Sequence, residues 1–196
     1  KPIPDSEKTN ADKLHRELVE AIASNDENLM EKYFEQGELT EDEMKQGLHH
    51  AMIKHDIFPL FCLSAEKNMG AGRLMGFIDN VCPSANEMPP QITANGGTLP
   101  CDANGPACIF VFKTISEPHV GELSLFKVYS GVVRTGMDLV NENTGVSEKI
   151  NQLLLLEGQN RTNVNELVAG DIGATMKLKN THVNNTLHEK GKPIEL

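Results

Sequence analysis

The sequence predicts an α+β chain in two parts, helical first and β second. Three observations carry this. Apolar residues recur at helical spacing as far as Val81. A stretch crowded with Pro, Gly, Asn and Ser follows, from residue 83 to residue 106. Beyond it, short apolar runs alternate with glycine turns, and the helical stripe disappears.

In chain order, residues 1–10 read as a disordered or truncated lead-in, and a first helix starts at Asp12. Leu14, Leu18, Ala21 and Ile22 share one of its faces. Ser24-Asn25-Asp26-Glu27 fits a capping box with Ser24 as the cap, opening a second helix that buries Leu29, Met30, Tyr33 and Phe34. Gly37 is placed to end that helix. Thr40-Glu41-Asp42-Glu43 is a second capping box, and Met44, Leu48, Ala51 and Met52 form the inner stripe of a third helix. Ile57 to Leu63 is a short apolar run that predicts a strand. It delivers Ser64-Ala65 and a polar loop to a fourth helix carrying Leu74, Phe77, Ile78 and Val81, which Pro83 stops. A strand, a small-residue loop and a helix start in succession are a common setting for a nucleotide.

The β part begins with Cys108 to Phe112, an unbroken apolar run suited to a strand buried on both faces. Further strands are predicted over Leu123–Tyr129, Ile150–Leu156 and Ile172–Leu178, and Val132-Val133 and Leu139-Val140 flank a turn at Gly136. Many short strands with regular turn signals predict a barrel or a sandwich.

Composition narrows the function classes. The chain has 196 residues, 39% of them apolar and 23% charged, enough for one large domain or two small ones. No apolar run approaches the ~18 residues that cross a bilayer, so no membrane partner is expected. The N-terminal KPIPDSEKTN has no apolar signal core and no initiator Met, which suggests a cytoplasmic chain cut from something longer. Net charge is −10, split −7 over residues 1–86 and −3 over the rest. That leaves no basic footprint for DNA, and any RNA contact must be local. Cys62, Cys82, Cys101 and Cys108 form no CxxC pair, so neither a zinc site nor a disulfide framework is expected. Asn160-Arg161-Thr162 and Asn184-Asn185-Thr186 match the glycosylation sequon, and in an unsecreted chain they signify only exposed loops.

Several motifs fall short of chemistry. Gly70-Ala71-Gly72 with Gly76 hints at dinucleotide binding, but no second strand with an acidic ribose ligand follows within ~20 residues. His49, His50 and His55 lack the spacing of a helical metal pair. Asp102-Ala103-Asn104-Gly105 matches DxxG but lies in the loop-rich stretch. Ser64 sits in no GxSxG elbow. The phosphate loop GxxxxGK[ST] and the NKxD base motif are both absent. Phosphoryl transfer needs a phosphate cradle, a magnesium ligand and a water-positioning group together. This chain supplies none of them, so no catalytic and no metal residue is assigned.

The segment Ile57 to Asn68 resembles the end of the G domain of translation elongation factor G, where an apolar strand leads into Ser-Ala and then Lys-Asn-x-Gly. Here these are Ser64-Ala65, Lys67-Asn68 and Gly70. Leu29-Met30-Glu31-Lys32-Tyr33, Leu39-Thr40-Glu41 and Val81-Cys82-Pro83-Ser84 are similar to the same family. In the second half, Val120-Gly121-Glu122-Leu123, Phe126-Lys127-Val128-Tyr129-Ser130-Gly131, Ala169-Gly170-Asp171-Ile172, Lys177-Leu178-Lys179-Asn180-Thr181 and Asn185-Thr186-Leu187 resemble its second domain. Lys127 stands where the family usually has Arg, and Leu156 to Arg161 replaces a usual Met-His-Ala-Asn run.

The resemblance implies a helical α/β C-terminal piece of a P-loop GTPase domain, with helices of its inserted subdomain, over residues 1–86. A linker over 87–105 and a translation-factor antiparallel β-barrel over 106–196 follow. It implies a guanine loop at Ser64, Ala65 and Glu66, in which a backbone amide faces the guanine carbonyl oxygen. GTP or GDP with Mg2+ would be cofactors of the parent protein, and none is expected in this piece. The partner would be the ribosome, through rRNA and ribosomal protein, with the piece itself a monomer. Lys127, Arg134, Lys149 and Arg161 are candidate phosphate contacts. The parent would be an elongation-factor-G-like GTPase of protein synthesis. It could instead be a ribosomal protection or release-type factor, or a non-enzymatic ribosome- or protein-binding module.

Overall fold

The computed structural model describes residues 3–117 and 121–196. Val120 of the Val120-Gly121-Glu122-Leu123 run lies outside the described residues, as do Lys1 and Pro2 of the lead-in. The chain divides into two compact units, Lys1–Pro83 and Ser84–Leu196. The first is helical and the second is an antiparallel β domain, which is the predicted fold class.

The helical unit holds α1 (Asp5–Ala23), α2 (Glu27–Gln36), α3 (Glu41–Ile53) and α4 (Ala71–Val81). Helix α1 starts at Asp5, inside the expected lead-in, because Pro4 suits a helix start and Asp5 and Glu7 face the positive end of the helix dipole. Its buried face is Val19, Ile22 and Ala23, whereas Leu14 and Leu18 are 54% and 42% exposed. The expected stripe is therefore rotated. Burial follows the C-terminal turns, where α1 meets α2 and α3. At Gly47 of α3 a Cβ would stand 2.4 Å from Ile22 Cγ2 and 2.8 Å from Leu29 Cδ1, so glycine permits the three helices to approach there.

Asp26, not Ser24, caps α2, accepting from Asn28 N and Leu29 N at 2.9 and 3.1 Å. A carboxylate one residue before the helix reaches both amides. The Ser24 hydroxyl instead donates back to Ala21 O at 2.9 Å. Gly37 ends α2 with φ 76, and Thr40 and Glu43 form the complete capping box of α3.

The strand expected over Ile57–Leu63 does not form. The described residues of the helical unit contain no strand, only an isolated bridge between Ser64 and Met69. A strand needs a neighbour for its backbone groups, and Pro59 removes a donor from this one. Phe58 and Leu60 stand 78% and 92% exposed.

The second unit opens with a small hairpin, β1 (Gln91–Ile92) and β2 (Thr98–Leu99), within the stretch expected to be all loop. Then come β3 (Cys108–Glu117), β4 (Gly121–Ser130), β5 (Val132–Arg134), β6 (Asp138–Asn141), β7 (Ser147–Lys149), β8 (Leu153–Glu157), β9 (Asn160–Val164), β10 (Glu166–Val168), β11 (Ile172–Met176) and β12 (Thr186–Glu189). Eight of these pair in the order β7-β6-β12-β3-β4-β11-β8-β9, and β5 pairs with β10. All the pairings are antiparallel.

Val111, Phe126, Leu139, Leu153 and Leu187 share one buried cluster although they lie on five different strands, so the sheet coils around this core, and Leu123, Leu154 and Ala174 form a second, smaller cluster. A register shift between Val111 and Lys113 bends β3 where it does so. Ile150, expected within a strand, instead ties two turns together: its N–H donates to Met137 O at 2.8 Å and its carbonyl accepts from Gly136 N at 2.7 Å. One end of the barrel is closed by polar side chains. Fully buried Asn141 donates to Asn180 O at 3.0 Å and accepts from Asn143 N and Thr144 N, while Glu148 accepts from Lys179 N at 3.0 Å.

Candidate guanine loop and barrel surface

Ser64 and Met69 exchange backbone hydrogen bonds, Ser64 N to Met69 O at 3.0 Å and Met69 N to Ser64 O at 2.9 Å. The loop between them is a tight turn. Asn68 N donates to Ala65 O at 3.1 Å, and Lys67 N donates to Ser64 Oγ at 3.3 Å. Asn68 accommodates φ 49, which its short polar side chain tolerates. Gly70 follows at φ 81 as the N-cap of α4, and a Cβ there would stand 3.1 Å from Leu63 Cβ. The sequence thus dictates the local shape: a hydroxyl to hold the turn, a small residue at its top, and glycine to turn into the helix.

Ala65 and Glu66 are exposed on this turn. Their backbone N–H groups make no hydrogen bond among the described residues. Two adjacent amide donors beside a methyl side chain suit a flat carbonyl-bearing ligand approached edge-on. The donors distinguish a carbonyl oxygen, which accepts, from an amino group, which does not. Ser64, Ala65 and Glu66 therefore lie together on one loop. Nothing around them resembles a phosphate cradle, and no group of three His, Cys, Asp or Glu able to hold a metal occurs among the described residues. The residues present suit the carbonyl edge of a ligand and do not suit phosphates or Mg2+.

The three histidines go to structural roles. His49 Nδ1 lies 3.0 Å from Val81 O, bridging α3 and α4, and His50 Nδ1 lies 4.0 Å from Asp26 Oδ2. His55 follows the end of α3 with φ 62. All four cysteines are free thiols, and burial pushes the Cys108 thiol up to about 12. The carbonyl of Asp102, in the discarded DxxG match, accepts from Gly105 N and Gly131 N at 3.1 and 2.8 Å and fastens the loop to the barrel.

The four basic candidates fall on four separate strands. Lys127 of β4 is half-buried, with Nζ 5.1 Å from the centre of the Tyr129 ring. Arg134 of β5 is paired with Glu166 of β10 at 3.2 Å. Lys149 ends β7, and Arg161 lies on β9, at opposite ends of the strand order. Sequence reasoning missed a cleft on the barrel lined by Thr135, Asn151, Gln152, Asn163, Asn165 and Lys177. Its residues come from four distant parts of the chain, and only the local richness in Asn hints at it. No helix among the described residues is long and apolar enough to cross a membrane.

Comparison with known proteins agrees with this layout. Residues 106–190 match the family described as Elongation factor G domain 2. The crystal structure of a protein from Thermus thermophilus superposes with a TM-score of 0.76 at 26% identity. The alignment covers 98% of this chain and 27% of that one, so the chain spans about a quarter of the protein it matches. Residues 106–190 therefore form a β-barrel similar to the second domain of elongation factor G, and the chain is elongation-factor-G-like in that part.

Proposed function

We propose that this chain is part of a GTP-dependent elongation-factor-G-like protein that acts on the ribosome in the cytoplasm. The observation that carries this reading is the joint presence, in one chain, of the second-domain barrel of residues 106–190 and a tight loop with two unused amide donors. In this reading Ser64 holds the loop closed, the Ala65 and Glu66 amides meet the guanine carbonyl oxygen, and the small Ala65 side chain lets the backbone approach the base. The barrel docks on rRNA and ribosomal protein. Lys127, Arg134, Lys149 and Arg161 are its first candidates for phosphate contact.

GTP hydrolysis belongs to the larger protein, since phosphate and Mg2+ need residues this chain does not contain. Alone, the 196-residue chain binds GTP or GDP weakly or not at all. A single base contact rarely offsets the entropy lost on association.

The test is Ala65→Pro in the full-length protein, which deletes one amide donor. The expected result is GDP affinity lowered about tenfold, one hydrogen bond to a ligand carbonyl. Unchanged affinity would remove the guanine role from this loop. A protection or release-type factor shares the same loop and barrel. Full-length translocation assays separate the two.

A further inference from the structure

The cleft on the barrel encloses about 390 Å³. That lies within the ~300–1,000 Å³ range of small-ligand sites. It has room for one planar heterocycle and its sugar, and none for a helix. Its polar lining is Thr135, Asn151, Gln152, Asn163, Asn165 and Lys177, and it contains no carboxylate. In a chain of net charge −10 with 28 acidic residues, an acid-free concavity stands out. Leu153, Val164 and Met176 complete the lining with apolar surface.

Part of the polar lining is held in place by the fold. Thr135 Oγ1 donates to Val164 O at 3.2 Å, and Asn151 Nδ2 donates to Lys149 O at 3.3 Å. Gln152 Nε2 donates to Asn163 Oδ1. These bonds orient three amides and leave Gln152 Oε1, Asn163 Nδ2 and Asn151 Oδ1 over. No hydrogen bond among the described residues uses the Asn165 carboxamide. The cleft therefore offers both donors and acceptors, with three of its carboxamides held by the fold.

Lys177 adds a second, independent feature. Its backbone has φ 66, a region that a lysine rarely adopts. Unlike Asn, its long side chain makes no local hydrogen bond that favours this conformation. Strain of this kind persists where position matters more than stability. The turn places the cleft's only cation beside Met176.

From these residues we infer that the cleft takes a single unstacked nucleobase of an RNA strand, with Lys177 on the adjoining phosphate. Carboxamides match the mixed donor and acceptor edges of bases. A site built for phosphate alone would be rich in Arg and Lys, and this one has a single cation against five neutral groups. The apolar residues give the face of the base a dry surface. The proposal rests on the ribosome reading for its setting and on the cleft alone for its chemistry.

The test is a titration of the 15N-labelled 196-residue chain with each of the four nucleoside 5′-monophosphates, and with ribose 5-phosphate as control. Saturable shifts of the Asn151, Gln152, Asn163 and Asn165 side-chain amides are expected with at least one nucleotide and not with ribose 5-phosphate. Asn165→Ala, at an exposed position, weakens binding about fivefold. Lys177→Gly weakens it about threefold while raising the melting temperature, because glycine accepts the positive φ. Silent amides, equal shifts with ribose 5-phosphate, or unaltered affinity in both variants would overturn the proposal. Sedimentation with ribosomes keeps the two readings apart. Retention with silent amides rejects the cleft alone, whereas amide shifts without retention reject the ribosome setting and support the cleft.

Discussion

Gly70 takes φ 81 where the chain passes Leu63 into α4, and an added Cβ would sit 3.1 Å from Leu63 Cβ. Gly70→Ala therefore strains the backbone and crowds Leu63 together. The expected loss is about 1–2 kcal/mol in the helical unit. Gly72→Ala is the control, since a Cβ there meets nothing within 4 Å and α4 gains a better helix former. It should stabilise by about 0.5–1 kcal/mol. Urea denaturation followed by far-UV circular dichroism compares the two.

Acid should loosen the helical unit through Glu43. A hydrogen bond from Lys32, and then bonds from the Thr40 N–H and hydroxyl, lower its carboxyl from 4.5 to about 2. The folded value lies below the unfolded one. The contribution is thus complete above about 4.5 and is lost as the pH falls towards 2. Glu43→Gln should flatten this part of the pH profile of thermal unfolding. An unchanged acid limb would show that other carboxylates set it.

The cap itself is open to a separate measurement. Thr40 Oγ1 accepts from Glu43 N at 3.4 Å, and Thr40 N donates to Glu43 Oε2 at 2.9 Å. Thr40→Ala should cost about 1 kcal/mol, the usual value for a lost N-cap. Thr40→Ser should restore most of it. Chemical denaturation of the three proteins decides this.

Thiol labelling should separate the cysteines. Cys62 is exposed, and Cys108 is fully buried with its thiol pushed up to about 12 by burial. A maleimide at neutral pH should modify Cys62 first and Cys108 only after unfolding. Mass spectrometry of a time course reads the order. Early labelling of Cys108 would mean that β3 opens easily from the barrel.

Much of the fold was legible because local chemistry and global structure agree. Thr40 with Glu43, and Gly37 after α2, are signals that need no tertiary context. The short apolar runs around Ile109 and Phe126 marked barrel strands because those residues are fully buried, whereas the strand at Leu187 was legible only through resemblance. The rest depends on what each segment meets. Ser24 read as a cap because the Ser-x-x-Glu spacing is right, yet Asp26 stands nearer the free amides. Leu14, Leu18 and Ala21 have the helical spacing of a stripe with Ile22, but the face that α1 buries is the one carrying Val19 and Ala23. Ile57 to Leu63 reads as a strand and finds no neighbour. The loop of Ser64, Ala65 and Glu66 was legible through resemblance. The cleft was not, since Thr135, Gln152, Asn165 and Lys177 converge only once the sheet coils.

The central claim is tested most directly by sedimenting the 196-residue chain with ribosomes across a series of salt concentrations. The account predicts co-sedimentation at low salt that weakens as salt rises, because phosphate contacts release counterions. Lys149→Glu and Arg161→Glu should weaken it further. A chain that stays in the supernatant at low salt, or a complex indifferent to salt and to both substitutions, would contradict the account.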